Sequence, residues 1–311
     1  MSKDIRIKKG VNIKLKGSSE RVYANIPLSE LFLVKPSDFI GLNPKLTVKT
    51  GEKVLAGSPL FYDKVNPSVI ITSPVSGEVS EIRRGEKRKI LSIVIKADNK
   101  ILYKEFTKAR ANQISREDII SQMLESGLWP FVRQRPFAVI ANPKDHPKSI
   151  FISAFDSSPL ACDNDFVLHG MENEFQEGLD IVSKLTEGTT HLNIDGNVNS
   201  SSVFTSAKGV KINNITGPHP AGNVGVQIHH LDPINKGELV WYMYPQDVLA
   251  IGRLFSQGKY DASRLVALAG SQVKKPRYYR TMQGALIREM IRENIKQGEN
   301  RFISGNVLTG T

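Results

Sequence analysis

The sequence predicts a mixed α+β protein of more than one domain, and three observations carry that expectation. Its 311 residues are room for two or three cores at roughly 100–200 residues each. From about residue 32 to 96, Val, Leu and Ile alternate with polar residues between glycines, the pattern of short strands joined by tight turns. From Ser115 onward, apolar residues at helical spacing alternate with short β-branched runs, which argues an α/β layer.

The elements follow in order. The first organised segment holds VKTGEKVLAGSPL (residues 48–60) and ITSPVSGEVSEI (71–82), and a further strand is expected over 90–95. Ser115 to Asp118 has capping-box spacing, and Ile119, Ile120, Met123, Leu124 and Leu128 follow with helical period until Gly127 ends the helix. Residues 137–141 and 149–153 read as buried strands. Residues 173–185 read as a helix with Phe175, Leu179, Val182 and Leu185 on one face. Further strands are expected over 190–194 and 209–213. The last segment predicts a strand and turn over 266–273 and a helix over 283–294. The chain stops at Thr311 in what reads as mid-domain sequence, so the last module is expected to be truncated.

Composition bounds the function. No apolar run approaches the ~18 residues of a membrane span. The basic opening MSKDIRIKKG lacks the apolar stretch of a secretory signal, so the simplest expectation is a cytoplasmic chain. Cys162 is the one cysteine. It makes no intrachain disulfide and cannot hold an iron–sulfur cluster, which needs about four thiolates. The formal net charge of +11 invites nucleic acid, an anionic membrane surface or an acidic protein. The compact basic cluster, Arg83 to Lys89, lies between two strand-like runs and reads as a solvated hairpin turn, so nucleic acid is not expected.

The first segment resembles the biotinyl/lipoyl-like barrel-sandwich hybrid through VKTGEKVLAGSPL and ITSPVSGEVSEI. Lys64 is out of register for a lysine that carries a swinging arm, so a sandwich without a prosthetic group is expected, with a carrier module as the alternative. RLVALAGSQVKKPRYYRTMQGALIREMI (264–291) resembles a β-grasp, soluble-ligand-binding module. In that order, the segments resemble an architecture shared by the NADH-binding flavoprotein subunit of complex I, the C subunit of the Rnf complex, and the A subunit of the sodium-translocating NADH:quinone reductases. TGPHPAGNVGVQIHHLDPI, WYMYPQDVLAIGRLF, RPFAVIANP, FISAFDSSPLACD and RFISGNVLTG resemble the last of these specifically. The resemblance implies three domains: a barrel-sandwich hybrid with an N-terminal extension over 1–110, a Rossmann-like α/β domain over 111–260, and a β-grasp module over 261–311. It also implies a peripheral subunit on the cytoplasmic side of the bacterial inner membrane, working with quinone and a membrane subunit.

The departures bear on cofactors. The flavin-binding relatives carry a Gly-rich loop after the helix that ends near residue 127, where backbone N–H groups approach phosphate. Here that stretch is SGLWPFVRQRP, with Trp129, Pro130 and Phe131 in place of glycines. The acidic stretch of those relatives reads SAFDSSP, and the cysteine cluster is absent. No cofactor is therefore expected on this chain, and flavins and iron–sulfur centres are expected on partner subunits. The alternative is a free-standing flavin/NADH-binding oxidoreductase.

Candidate site residues follow from chemistry. A quinone headgroup needs a hydrogen-bond donor and an apolar slot. His219, in the Gly/Pro-rich loop 217–225, and His229 or His230 are candidate donors, beside Trp241, Tyr242 or Tyr244. His229-His230 is expected on a strand, where neighbours point to opposite faces, so no metal site is expected. Lys274, Lys275, Arg277, Tyr278 and Arg280 form a basic, aromatic cluster, a candidate dock for a membrane subunit or lipid headgroups. No nucleophile elbow or other catalytic motif appears, so no catalytic residue is assigned.

Overall fold

The computed structural model describes residues 3–311. The chain visits three bodies before it completes any of them. Strand β1 (Lys3–Arg6) and strand β2 (Glu20–Asn25) come first. Neither joins the strands that follow it. Instead, β1 pairs in parallel with residues 213–216, and β2 pairs in parallel with residues 277–280. The N-terminal extension is thus an edge strand of two sheets built by later sequence.

The predicted Gly-punctuated strands form β3 (Leu31–Val34), β4 (Pro44–Leu46), β5 (Lys53–Val54), β6 (Pro59–Asp63), β7 (Ile70–Thr72), β8 (Gly77–Arg84) and β9 (Ile90–Ala97). They make a sheet of order β3-β9-β8-β5 and a smaller one of order β4-β6-β7. Phe32, Val54, Leu60, Phe61, Val79, Ile93 and Ile95 fill one core between them. Gly77 is the glycine this body cannot replace. A Cβ there would sit 2.0 Å from the Lys96 carbonyl oxygen, where β8 meets β9. The basic cluster forms the exposed turn between those two strands.

Helix α1 (Arg116–Ser126) has the predicted limits. The Ser115 hydroxyl accepts the Asp118 N–H at 3.1 Å, and Gly127 closes the helix in the left-handed region at φ 81°. Next come β10 (Arg133–Arg135), β11 (Val139–Ile140), β12 (Ser149–Ser153), α2 (Asn164–Leu168), α3 (Glu172–Ser183), β13 (Thr189–Asp195), α4 (Ser202–Thr205), β14 (Lys211–Thr216), α5 (Val224–Leu231), β15 (Val240–Met243) and α6 (Pro245–Gln257). The sheet order is β1-β14-β13-β12-β15-β10-β11. Its first five strands are parallel, and β10 and β11 add an antiparallel edge. All of β12 is buried, as expected of a central parallel strand covered on both faces.

Helices α3 and α6 cover one face, where Phe175, Leu179, Val182, Leu254 and Phe255 join the main core. The two helices touch backbone to backbone. A Cβ on Gly178 would lie 2.1 Å from the Val248 oxygen, and one on Gly252 would lie 2.0 Å from the Glu174 oxygen. Helix α5 covers the other face with Val224, Ile228 and Leu231, against Phe151, Ile215 and Tyr242.

The remaining sheet is β16-β17-β2, built from β16 (Ser263–Leu268) and β17 (Arg277–Met282), followed by one helical turn, α7 (Arg288–Ile291). A buried ion pair ties this sheet to α6. Arg264 Nη2 lies 2.8 Å from Asp247 Oδ1, and the Arg264 guanidinium stacks over Phe131 at 5.3 Å.

Three local expectations are corrected. The helix expected over 283–294 shrinks to Arg288–Ile291, because Gly284 takes φ 78° and the Gln283 N–H pairs with the Ala262 oxygen, continuing the sheet. The strand expected over 137–141 shrinks to Val139–Ile140, because Ala138 takes φ 57° beside the turn at Pro136. His229 and His230 are on α5, not on a strand. Their segment, VGVQIHHL, holds β-branched residues that propensity gives to strands, and packing on the sheet decides for helix.

Candidate functional site

A cleft of about 520 Å³ opens between the small double sheet and the antiparallel edge of the large one. One wall is loop sequence around Asp63. The Asp63 carboxylate accepts the N–H groups of Asn43 (2.9 Å), Val65 (3.2 Å) and Asn66 (3.2 Å). That one side chain fixes Ile40 to Leu42 and Val65 to Val69 as a single wall. The other wall is β11 with Ala141, Asn142 and Lys144. Ile40, Leu42, Val65, Pro67, Val69, Val139 and Ile140 make the lining mainly apolar, and Asp63, Asn66, Asn142 and Lys144 add polar groups. Val65 is 80% exposed, and so is Phe137, at the turn leading into β11.

The back of this cleft is rigid. Trp129 Nε1 donates to the Ala141 oxygen at 2.8 Å, and the Ala141 N–H donates to Val132. Trp129 meets Trp241 edge to face at 5.3 Å. Trp241 Nε1 and the Asn142 N–H both donate to Gln134 Oε1, at 3.2 Å each. Both indoles are fully buried, so they support the wall instead of touching its contents.

The predicted quinone residues are not gathered in one place. His219 and Tyr244 lie at the carboxyl ends of the parallel strands, following β14 and β15. There the Gly222 N–H donates to Ser157 Oγ at 2.8 Å, and that oxygen is 3.1 Å from His219 Nδ1. Ser157 thus bridges the Gly222 backbone and the His219 ring. Tyr244 is half exposed, 6.0 Å from Tyr242 ring to ring, and the Arg135 guanidinium lies 5.2 Å over Tyr242. His229 and His230 are exposed in the last turn of α5, near the opposite end of the sheet, with their rings 5.1 Å apart. Among the described residues, no three of His, Cys, Asp and Glu converge as metal ligands.

The candidate docking residues divide as well. Lys274, Lys275 and Arg280 are exposed, and Arg280 stacks over Tyr23 at 5.0 Å. Arg277 is half-buried at the start of β17. Tyr278 is buried against Phe166, and its hydroxyl accepts the Asp163 N–H at 2.9 Å. That contact seals the third sheet onto α2. The cleft residues escaped the sequence reading. The signal that could have found them was the pairing of large aliphatic groups with turn formers, in Ile40-Gly41 and Val65-Asn66-Pro67.

Comparison with known proteins places these bodies. Family models described as the NqrA N-terminal barrel-sandwich hybrid domain, the NqrA second alpha/beta domain and the NQRA C-terminal domain match residues 5–98, 114–260 and 265–311. The A subunit of the Na(+)-translocating NADH-quinone reductase of Photorhabdus laumondii is 39% identical over 313 residues, covering 99% of this chain and 69% of that protein. Proteins of the same name are 38% identical in Yersinia pestis and 39% in Pasteurella multocida, over 99% and 98% of this chain and 69% of each relative. A solved NAD+-reducing [NiFe]-hydrogenase aligns with TM-score 0.43 and 14% identity, over 61% of this chain and 40% of that one, a likeness too slight to bear on fold or function. With all three bodies matched and two thirds of each relative covered, the chain belongs to the NqrA family, the A subunits of the Na(+)-translocating NADH-quinone reductases.

Proposed function

We propose that this chain is a peripheral subunit of a sodium-pumping NADH:quinone reductase, without a redox cofactor of its own, and that it holds quinone in the cleft between its first two bodies. The observation that carries the quinone reading is the cleft's chemistry. A quinone is a flat apolar ring with two carbonyl acceptors, and the cleft offers aliphatic walls with the Asn66 amide and the Lys144 ammonium beside them. Electrons reach the quinone from flavins and iron–sulfur centres on partner subunits in this reading, and the chain binds and positions. The α/β layer is then a Rossmann-like domain with a degenerate flavin site, since Trp129 and Pro130 form a short 3-10 turn after α1 where a phosphate-binding loop would need free N–H groups. The last body is then a β-grasp module. In this reading the chain sits as a peripheral subunit on the cytoplasmic face of the bacterial inner membrane; no helix among the described residues is long and apolar enough to cross a membrane.

The test uses the paired indoles behind the wall. A soluble short-chain quinone titrated into the chain should quench Trp129 and Trp241 fluorescence saturably, in a preparation with no flavin absorbance. Val65→Glu puts a charge in the cleft at an exposed position and should abolish the quenching. Quenching that survives Val65→Glu and disappears in His219→Ala would move the quinone to the carboxyl ends of the parallel strands. A flat titration with a flavin spectrum would replace the whole reading with the flavoprotein one.

A further inference from the structure

The segment joining β1 to β2 is the longest exposed stretch of the chain's first half. Every residue from Lys8 to Lys16 is exposed, including Val11 (69%), Ile13 (44%) and Leu15 (45%). It is held at its two ends. The Val11 N–H donates to the His219 oxygen at 2.9 Å, and the Gly270 N–H donates to the Gly17 oxygen at 2.8 Å. Between those anchors, among the described residues, the backbone of Asn12 to Lys16 makes no backbone hydrogen bond, and no ion pair engages Lys8, Lys9, Lys14 or Lys16. The sequence holds no carboxylate between Asp4 and Glu20.

The second anchor brings in more positive charge from the other end of the chain. Gly17 rests on the backbone of Gly270 and Ser271, and Lys296 Nζ donates to the Ser271 oxygen at 2.8 Å. Lys274 and Lys275 follow in the same loop, both exposed, and Lys274 Nζ donates to the backbone oxygen of the exposed Glu293 at 3.2 Å. Lysines and bare aliphatic groups therefore share one surface. Three exposed aliphatic side chains within five residues are what an interaction surface presents, and a groove for single-stranded nucleic acid would want aromatic rings for stacking.

We propose that residues 8–16, with Lys274, Lys275 and Lys296, form a docking face for an anionic phospholipid surface, the lysines meeting headgroup phosphates and Val11, Ile13 and Leu15 entering the headgroup layer. Charge complementarity selects the occupant. The positive groups come from two separate segments joined at Gly17 and Gly270, so an extended anionic surface meets both segments together. The headgroup layer is wet, so the open backbone groups of Asn12 to Lys16 keep their water partners there. Snorkelling lysines and shallow aliphatic insertion reinforce one another in that layer. The proposal is independent of the quinone reading, because it draws only on exposure and charge outside the cleft.

The experiment is cosedimentation of the 311-residue chain with phosphatidylcholine vesicles, with and without one-third phosphatidylglycerol. Binding should appear only with phosphatidylglycerol and weaken as salt is raised. Replacing Lys8, Lys9, Lys14 and Lys16 with Gln should lower the affinity by at least about tenfold, from roughly fivefold per lysine near an anionic surface less screening. Val11→Ser with Ile13→Ser and Leu15→Ser should lower it at constant charge. All of these positions are exposed, so folding is preserved, which far-ultraviolet circular dichroism checks. The control is Lys87→Gln with Arg88→Gln and Lys89→Gln, in the basic turn between β8 and β9. An equal loss in that control, equal binding to neutral vesicles, or no binding to either vesicle would overturn the proposal.

Discussion

Gly178→Ala should destabilise this protein, although alanine is the better helix former by about 1 kcal/mol. Gly178 lies mid-helix in α3, where its missing side chain lets α3 and α6 meet backbone to backbone. A Cβ would sit 2.1 Å from the Val248 oxygen and 2.9 Å from Val248 Cγ1. Ordinary contact begins at 3.4 Å, so the helices must separate by about 1 Å or more. A gap of 0.5–1 Å forfeits a quarter to a half of each contact's well of about 0.1–0.2 kcal/mol. Spread over several tens of atom pairs among Phe175, Leu179, Val248, Ile251 and Phe255, the loss is about 3 kcal/mol. Subtracting the helix preference leaves about 2 kcal/mol of net destabilisation, within the range for overpacked cores. At this domain size, that lowers the melting temperature by about 4–8 °C. Gly225→Ala is the internal control. It is also a helical glycine, but its Cβ would meet only Arg135 atoms, the nearest at 3.7 Å. That variant should be neutral or up to about 1 kcal/mol more stable. Urea and thermal unfolding of the two variants beside the parent measure both. If Gly178→Ala matches Gly225→Ala, the close crossing of α3 and α6 is wrong.

Two further outcomes follow from buried ionisable groups. Burial raises the Asp247 carboxyl above its ordinary value, and the Arg264 guanidinium opposes the rise. Arg264→Met removes the opposing charge, should cost about 3 kcal/mol at neutral pH, and should raise that carboxyl further. A group raised in the folded state favours folding while protonated, so the deficit should shrink as pH falls through the folded value. Melting temperatures measured from neutral pH down to the acid range test this, and a deficit independent of pH would refute it. Burial, with Asp163 beside it, pushes the Cys162 thiol up to about 12. Iodoacetamide should therefore label Cys162 very slowly in the native protein at neutral pH and rapidly in urea, read by intact mass.

Features set by near neighbours in the chain were legible in the sequence. The span of α1 follows from Ser115, Asp118 and Gly127, because capping chemistry acts within one turn. Strands β12 and β13 and helix α3 follow from periodicity, because a buried strand and an amphipathic helix each write their own pattern. The candidate site was much less legible. His219 and Tyr244 were marked by chemistry and do share one edge of the sheet. The cleft itself is made by side chains about 75–100 residues apart, such as Val65 against Ile140, and neither one announces the other.

The sequence by itself determined the class of the protein, its family resemblance and the elements whose ends are set by neighbouring residues. Only the tertiary structure decided that β1 and β2 belong to sheets assembled from residues 213–216 and 277–280, that VGVQIHHL is a helix, that Trp241 is a buried support, and that two glycines join α3 to α6. The physical reason is range. Caps, turns and periodicity depend on atoms within a few residues. Strand partners, helix crossings and clefts depend on which distant surfaces exclude water together, and that is settled only when the whole chain packs.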